Sequence, residues 1–189
     1  MRGRSGVPPP GVDEARPRMC PGCGQPAYEK GEVWIHGHGV VQRQQRGPEA
    51  PGQVALKREV ACRRYRCKAC TAVLTVLPAS ALARKHFSGA AMALALALWR
   101  LCGWSAAQVR AVVGGRMASG GRPRGWRTLE RWARQVAQGT LWAALESRAT
   151  GAPRQVAARA AQALCGQAPP WARTQGRPHQ AFAGACHVN

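Results

Sequence analysis

The sequence is poor in acidic side chains. Only 8 Asp and Glu residues stand against 28 Lys and Arg residues, which gives a formal net charge of +20 at pH 7. Such an imbalance favours a polyanionic partner, with nucleic acid ahead of an acidic membrane surface or an acidic protein. A GC-rich genome would explain the excess of arginine over lysine, but it would not explain why acids are scarce.

The shortage of carboxylates also limits the chemistry. A two-metal site for phosphoryl transfer needs several convergent carboxylates, whereas Asp13 is the single aspartate and the glutamates are scattered. A nucleophile elbow, a phosphate loop and a zinc motif with an open position are missing as well. We therefore expect a protein that is not an enzyme and has no small-molecule substrate.

Long hydrophobic runs are also lacking. The longest, residues 89–99, is Ala-rich and falls short of the about 20 residues that span a bilayer. Residues 1–26 contain no apolar segment of the kind that a secretory signal requires. We expect a cytoplasmic, nucleoid-associated protein without membrane contact. Because that compartment is reducing, its cysteines are expected to bind metal rather than to form disulfides.

Changes of pattern divide the chain into four regions. Residues 1–18 contain a proline triplet and no periodicity, which predicts a disordered basic arm. Residues 19–79 combine paired cysteines with short β-like runs, and residues 86–146 show helical spacing. Residues 147–189 show little pattern and predict a mostly disordered tail. The fold class is therefore α+β: a small β zinc ribbon, then a three-helix helix-turn-helix-like unit, with disordered termini.

Two Cys-x-x-Cys motifs give the strongest signal, Cys20 with Cys23 and Cys67 with Cys70. Each motif places two thiolates on a tight turn, where Gly22 or Gly24 can accept a positive φ. Two such turns complete one tetrahedral shell, which predicts a single structural Zn²⁺. The separation of the motifs exceeds the usual about 15–20 residues, and an inserted loop at residues 37–52 would account for that.

Other residues compete for these roles. Cys62 is an alternative ligand or a small buried side chain. His36 and His38 are alternative ligands, or histidines of a loop that contacts phosphate. A redox role for either Cys-x-x-Cys motif would need a thioredoxin-like βαβ context, which the sequence does not show.

Three helices are expected in the second region. Ser88 can cap a helix that ends near Gly103, and Ser105 can cap a shorter one over residues 106–113. A third is expected over residues 126–138, with Leu129, Trp132, Ala133 and Val136 as its buried stripe. The linker before it, residues 114–125, is longer than the about 3–4 residues of a strict helix-turn-helix turn.

The third helix suits the major groove of double-stranded DNA, since its polar side offers donors for phosphates and base edges. A solvated basic face on an ordinary three-helix bundle is the plainer alternative. The side chains that we predict to contact DNA are Arg110, Arg116, Arg122, Arg124, Arg127, Thr128, Arg131, Arg134 and Gln135.

Five segments carry a resemblance to a known family. They are Cys20-Pro21-Gly22-Cys23, Trp34-Ile35-His36-Gly37-His38-Gly39, Arg64-Tyr65-Arg66-Cys67-Lys68-Ala69-Cys70, Leu77-Pro78 and Arg127-Thr128-Leu129-Glu130-Arg131-Trp132. Through them, residues 19–140 resemble the N-terminal zinc-ribbon and helix-turn-helix regions of bacterial insertion-sequence transposases, and related short transposase-like proteins. The resemblance implies recognition of an element's terminal DNA without the separate carboxylate domain that carries out strand transfer.

The first functional hypothesis is thus a sequence-specific, transposase-like DNA-binding protein with a structural zinc site. A standalone transcriptional regulator would use the same parts. A zinc-ribbon module for protein or RNA interaction, with the helices as a scaffold, is an alternative from a different class.

Overall fold

A computed structural model describes residues 9–78, 80–114, 126–145 and 150–188. The chain divides into two compact units that are interleaved in sequence. Unit 1 comprises Met1–Gln45 and Arg58–Pro78, and unit 2 comprises Arg46–Lys57 and Ala79–Asn189. Each unit is therefore assembled from two separate stretches of chain.

Strands of very different length form the framework of unit 1, from 2 residues in β1 and β2 to 13 in β3. Strands β1 (Tyr28–Glu29) and β2 (Glu32–Val33) pair as a small hairpin. A three-stranded sheet has the order β3 (Ile35–Gly47), β4 (Leu56–Cys67), β5 (Val73–Val76). Strands β4 and β5 are antiparallel in a register that pairs Arg63 with Val76 and Arg66 with Val73.

The core of unit 1 is very small. Its buried members are Cys20, Ala27, Ile35, Tyr65 and Cys67, with Ala15, Leu74 and Val76 packed beside them. Two of the five are cysteines, which leaves little apolar area to stabilise the unit by burial alone.

The predicted disordered arm is partly ordered. The buried Tyr65 hydroxyl donates to the carbonyl oxygen of Val12 at 2.6 Å, and Arg63 Nε donates to that of Pro10 at 2.7 Å. These bonds fix the chain over part of residues 9–18, because a buried phenol needs a hydrogen-bond partner. The prediction was wrong for this stretch, and residues 1–8 lie outside the described part of the chain.

Five helices build the described part of unit 2: α1 (Gly89–Arg100), α2 (Ala106–Val113), α3 (Thr128–Ala137), α4 (Pro153–Gly166) and α5 (Arg177–Ala185). A 3-10 helix, Pro170–Ala172, lies between the last two. Helix α1 is buried from Gly89 to Trp99 and packs against α2, α4 and α5, while α3 packs mainly against α4. No helix in the described ranges is both long and apolar enough to cross a membrane.

Both predicted serine caps are confirmed. The Ser88 hydroxyl accepts from the Ala91 N–H at 3.1 Å, and Ser105 forms a capping box with Gln108. The third helix begins two residues later than expected, at Thr128.

The prediction of a mostly disordered tail was wrong, because α4 and α5 belong to the core of unit 2. They pack beside the three helices that lie, as predicted, within residues 86–146. Helix α4 buries a stripe at helical spacing, and Gly184 of α5 lies so close to the Leu164 carbonyl that a Cβ would clash. Alanines supply most of this stripe, which gives a weak hydropathy signal although the small side chains let helices approach closely. The stripe consists of Val156, Ala157, Ala160, Ala161 and Leu164.

Candidate metal centre and cationic surface

The first cysteine pair lies on a tight turn between Met19 and Pro26, which form an isolated β-bridge. The Cys20 N–H donates to the Gln25 carbonyl at 2.9 Å, and the Gly24 N–H donates to the Cys20 carbonyl at 2.8 Å. Gly24 has φ +75°, a conformation that glycine accepts without steric cost. This turn brings the thiols of Cys20 and Cys23 to the same side.

The second pair follows from the end of β4. The Cys67 N–H donates to the Ala72 carbonyl at 3.0 Å, and Thr71 closes the turn with φ +61°. The Lys68 N–H donates to the Trp34 carbonyl at 2.9 Å, which anchors the turn to the chain just before β3. Cys67 is fully buried, whereas Cys70 lies at the surface.

The four sulfur atoms form one group, all within 4.8 Å of one another. Cys20 Sγ lies 3.6 Å from Cys70 Sγ, and Cys23 Sγ lies 3.8 Å from Cys67 Sγ. Four thiolates at the usual Zn–S distance of about 2.3 Å stand about 3.8 Å apart in a tetrahedron. A disulfide would need about 2.05 Å, and the thiols are free. The predicted cysteines therefore lie together and can hold one metal ion.

The electrostatics of the group favour a cation. A hydrogen bond from the Gly22 backbone is the main influence on Cys20 and lowers its pKa to about 7, against the effect of burial. The Gln25 backbone lowers the pKa of Cys23, but burial and the neighbouring thiols of Cys70, Cys20 and Cys67 outweigh it and raise that pKa to about 12. Adjacent thiolates repel one another, so a bound divalent cation would offset the charge of several at once.

The competing ligands stand apart from this group. Among the described residues, the cluster consists of the four cysteines and does not include Cys62, His36 or His38. Cys62 is buried in β4, its thiol donates weakly to the Val60 carbonyl at 3.8 Å, and burial raises its pKa. His36 lies on β3, where its Nε2 is buried.

Helix α3 separates its polar and apolar residues onto opposite sides. Leu129, Trp132, Ala133 and Val136 are buried, as predicted. The other side, with the residue just before the helix, carries five of the nine predicted DNA-contacting residues. Arg127, Arg131 and Arg134 are exposed, and Thr128 and Gln135 are partly buried. The one acid of this helix, Glu130, pairs with Arg134 at 3.5 Å.

Part of the predicted DNA-contacting set surrounds a cavity of about 530 Å³ in unit 2. Arg110 of α2 lines it together with Thr128, Arg131 and Gln135 of α3. Arg116, Arg122 and Arg124 were predicted to contribute as well, but they lie outside the described residues.

Sequence reasoning missed the other wall of this cavity. Arg46 and the consecutive Arg84, Lys85 and His86 also line it. Three adjacent basic residues just before the Ser88 cap were a visible signal, but nothing in the sequence linked them to Arg46.

The cavity and the cysteine cluster are described from the structure of this chain alone. Family models, curated proteins and solved structures give no match to this chain.

Proposed function

We propose that this protein is a sequence-specific binder of double-stranded DNA that carries one structural zinc ion and has no catalytic domain. The observation that carries the proposal is the polar side of α3. Arg127, Arg131 and Arg134 are exposed there, while the opposite side of the same helix is buried in unit 2. The helix thus presents cations to solvent on a rigid support.

Charge supports a nucleic acid as the partner. The net charge of +20 gives a long-range attraction for phosphates, and arginine can bond two acceptors of a phosphate or of a guanine edge at once. Thr128 and Gln135 add neutral groups that can read a base. The same helix would then both position the protein on the phosphate backbone and read the base sequence.

Zinc is the metal that best suits the cysteine cluster. Four thiolates fill a tetrahedral shell and leave no position for a substrate, so the ion would be structural. Its binding would contribute folding free energy to unit 1, whose apolar core is too small to do so alone. The ion would hold the end of β4, at Cys67, and the first cysteine turn together.

The arrangement of parts also supports a transposase-like role. Helices α1 and α2 meet across a short connection that contains Gly103, at φ +72°, and α3 follows as the reading helix of a helix-turn-helix-like unit. The four-cysteine cluster, which precedes this unit in the sequence, is the second feature of the resemblance. The protein would recognise DNA near the nucleoid and leave catalysis to another chain.

The test is duplex binding by the zinc-loaded full chain. Selection from a random-sequence pool should enrich a defined site, and the affinity for that site should fall steeply with salt. Four phosphate contacts would give a slope of about −3.6 in log K against log salt. Binding without enrichment would reduce the proposal to a nonspecific polyanion binder, and no binding at low salt would refute it.

Charge reversal on α3 gives the matched comparison. Arg131→Glu with Arg134→Glu should weaken duplex binding by about a hundredfold or more, because two attractive contacts become repulsive. Arg154→Glu with Arg177→Glu, at the exposed starts of α4 and α5, makes the same change of charge elsewhere on unit 2 and should have a much smaller effect. Equal losses for both variants would show that α3 is not the contact surface.

A further inference from the structure

The cavity beside α3 concentrates positive charge in a concave site. Arginine and lysine side chains reach it from four separate stretches of unit 2, which are the end of β3, the segment before α1, helix α2 and helix α3. No acidic side chain occurs among the described residues of its lining. The five cations are Arg46, Arg84, Lys85, Arg110 and Arg131.

The backbone holds this wall in place. The Arg46 N–H donates to the His86 carbonyl at 2.7 Å, and the Ser88 N–H donates to the Arg46 carbonyl at 3.1 Å. Arg84 has φ +58°, a left-handed conformation that costs free energy for a residue with a side chain. These hydrogen bonds therefore tie Arg46 to the segment that carries Arg84 and Lys85.

Two further groups of the lining, Lys85 and Gln135, have environments that an anion would change. Lys85 is partly buried, and this burial, with the nearby Arg131 charge, lowers its pKa. The side-chain Oε1 of Gln135 is buried without a hydrogen-bond partner, although Gln135 lines the same cavity. An amide here can turn to donate to an anion. An anionic ligand would relieve the repulsion between the cations and give the amide a partner.

The floor of the cavity is aromatic. Phe87, Trp126 and Trp132 all line it and contact one another edge to face, with ring centroids 5.2–5.9 Å apart. The volume of about 530 Å³ lies within the range of small-molecule sites, so a lone phosphate would leave most of it empty. A phosphate joined to a nucleotide would use both the cations and the partly exposed rings of Phe87 and Trp126, whereas Trp132 is buried.

We infer that this cavity binds the terminal phosphate, with its nucleotide, of a DNA strand. The inference rests on the proposed function and names a feature of its ligand. Arg84, Arg110 and Arg131 are exposed, whereas Arg46 and Lys85 are partly buried. A phosphate within a duplex lies on a convex backbone and would reach only the exposed three, whereas a strand end can project into the cavity and reach all five. A terminal phosphate carries a charge near −2, which suits several converging cations better than the −1 of an internal phosphate.

The experiment compares duplexes of one sequence that carry a 5′-phosphate, a 3′-phosphate or hydroxyl groups at both ends, using the full chain. At least one phosphorylated form should bind about tenfold to a hundredfold more tightly than the hydroxyl form, the range that added charge-assisted hydrogen bonds supply. Equal affinity for all three duplexes would overturn the inference but leave the proposed function standing. No binding of any duplex would overturn both.

Variants of the cavity residues test whether the cavity causes the preference for a phosphorylated strand end. Arg84→Ala with Arg110→Ala should abolish the preference for the phosphorylated end. Arg134→Ala, on α3 but outside the cavity lining, should weaken all three duplexes equally and keep the preference. Should the double variant fold poorly by circular dichroism, Arg131→Ala serves the same purpose because Arg131 is exposed. A preference that survives in the cavity variants would overturn the assignment.

Competition by thymidine 5′-monophosphate distinguishes a site for a strand end from a site for a free nucleotide. It should displace the phosphorylated duplex only at concentrations far above the Kd of that duplex, because it lacks the contacts that the rest of the strand makes. Binding of the mononucleotide as tightly as the duplex would overturn the assignment to DNA and indicate a nucleotide site.

Discussion

Units 1 and 2 reach stability by different routes. Unit 1 has few buried apolar side chains, and two of its five core residues belong to the cysteine cluster. Unit 2 buries an entire helix, α1, among other helices and uses alanine and glycine to bring them close. Unit 1 is therefore expected to depend on a bound ion, whereas unit 2 is expected to depend on close packing.

The largest expected effect comes from removing one cluster cysteine. Cys67→Ala should abolish binding of one equivalent of zinc and unfold unit 1, because structural zinc contributes about 10–16 kcal/mol of binding free energy. Zinc content by mass spectrometry and amide hydrogen exchange over residues 19–45 and 58–78 would measure this. Unit 2 should keep its protection.

Cys62→Ala is the matched control, since Cys62 is equally buried in the same strand but stands outside the cluster. It should keep the zinc and lose only about 1 kcal/mol of stability through lost packing. If both variants kept the metal, the cluster would not be the binding site. If unit 2 lost protection together with unit 1 in Cys67→Ala, the contrast between the units would fail.

A smaller effect is expected from closing the space between α4 and α5. Gly184→Ala places a methyl group against the Leu164 carbonyl, so the free energy of unfolding of unit 2 should fall by about 3 kcal/mol. Gly166→Ala, at the end of α4 and with open space around it, should raise stability by about 0.5 kcal/mol. Denaturant titration followed by tryptophan fluorescence would measure both, and an equal response would show that packing here is loose.

The smallest effect concerns the N-terminal stretch of unit 1. Tyr65→Phe removes the hydrogen bond to the Val12 carbonyl and should lower the free energy of unfolding by about 1 kcal/mol. Amide exchange over residues 9–18 should become faster while zinc remains bound. Unchanged exchange in this stretch would mean that the tyrosine does not hold it.

The local signals in the sequence were sufficient for several elements. Ser88 and Ser105 identified two helix starts because a cap depends only on the next few residues. Each cysteine pair was recognisable because the spacing of two thiols on one turn is also a local property. Two such pairs supply the four ligands of one tetrahedral shell, and so they predicted one cluster. The stripe of α3 was readable because Trp132 and Leu129 contrast with the arginines beside them.

Other features depend on contacts between distant residues. Helix α4 has a buried stripe, but Ala157, Ala160 and Ala161 contrast weakly with their neighbours, so only tertiary packing reveals it. The order in residues 9–18 depends on Tyr65, more than 40 residues away in the chain. The cationic cavity joins Arg46 to Arg131, a pairing that no local pattern contains.

The interleaving of the two units has a consequence for how this chain can be divided. Residues 46–57 belong to unit 2, although the strand that leads into them, β3, begins in unit 1 and the strand that leads out of them, β4, ends in unit 1. A single protease cut or a gene-shuffling breakpoint at residue 78 would therefore separate unit 2 from part of itself. Arg46, which lines the cavity and bonds to the segment before α1, would leave with the wrong fragment. A piece that is inherited or exchanged with both units complete must therefore include residues 46–57 together with the chain on both sides of them.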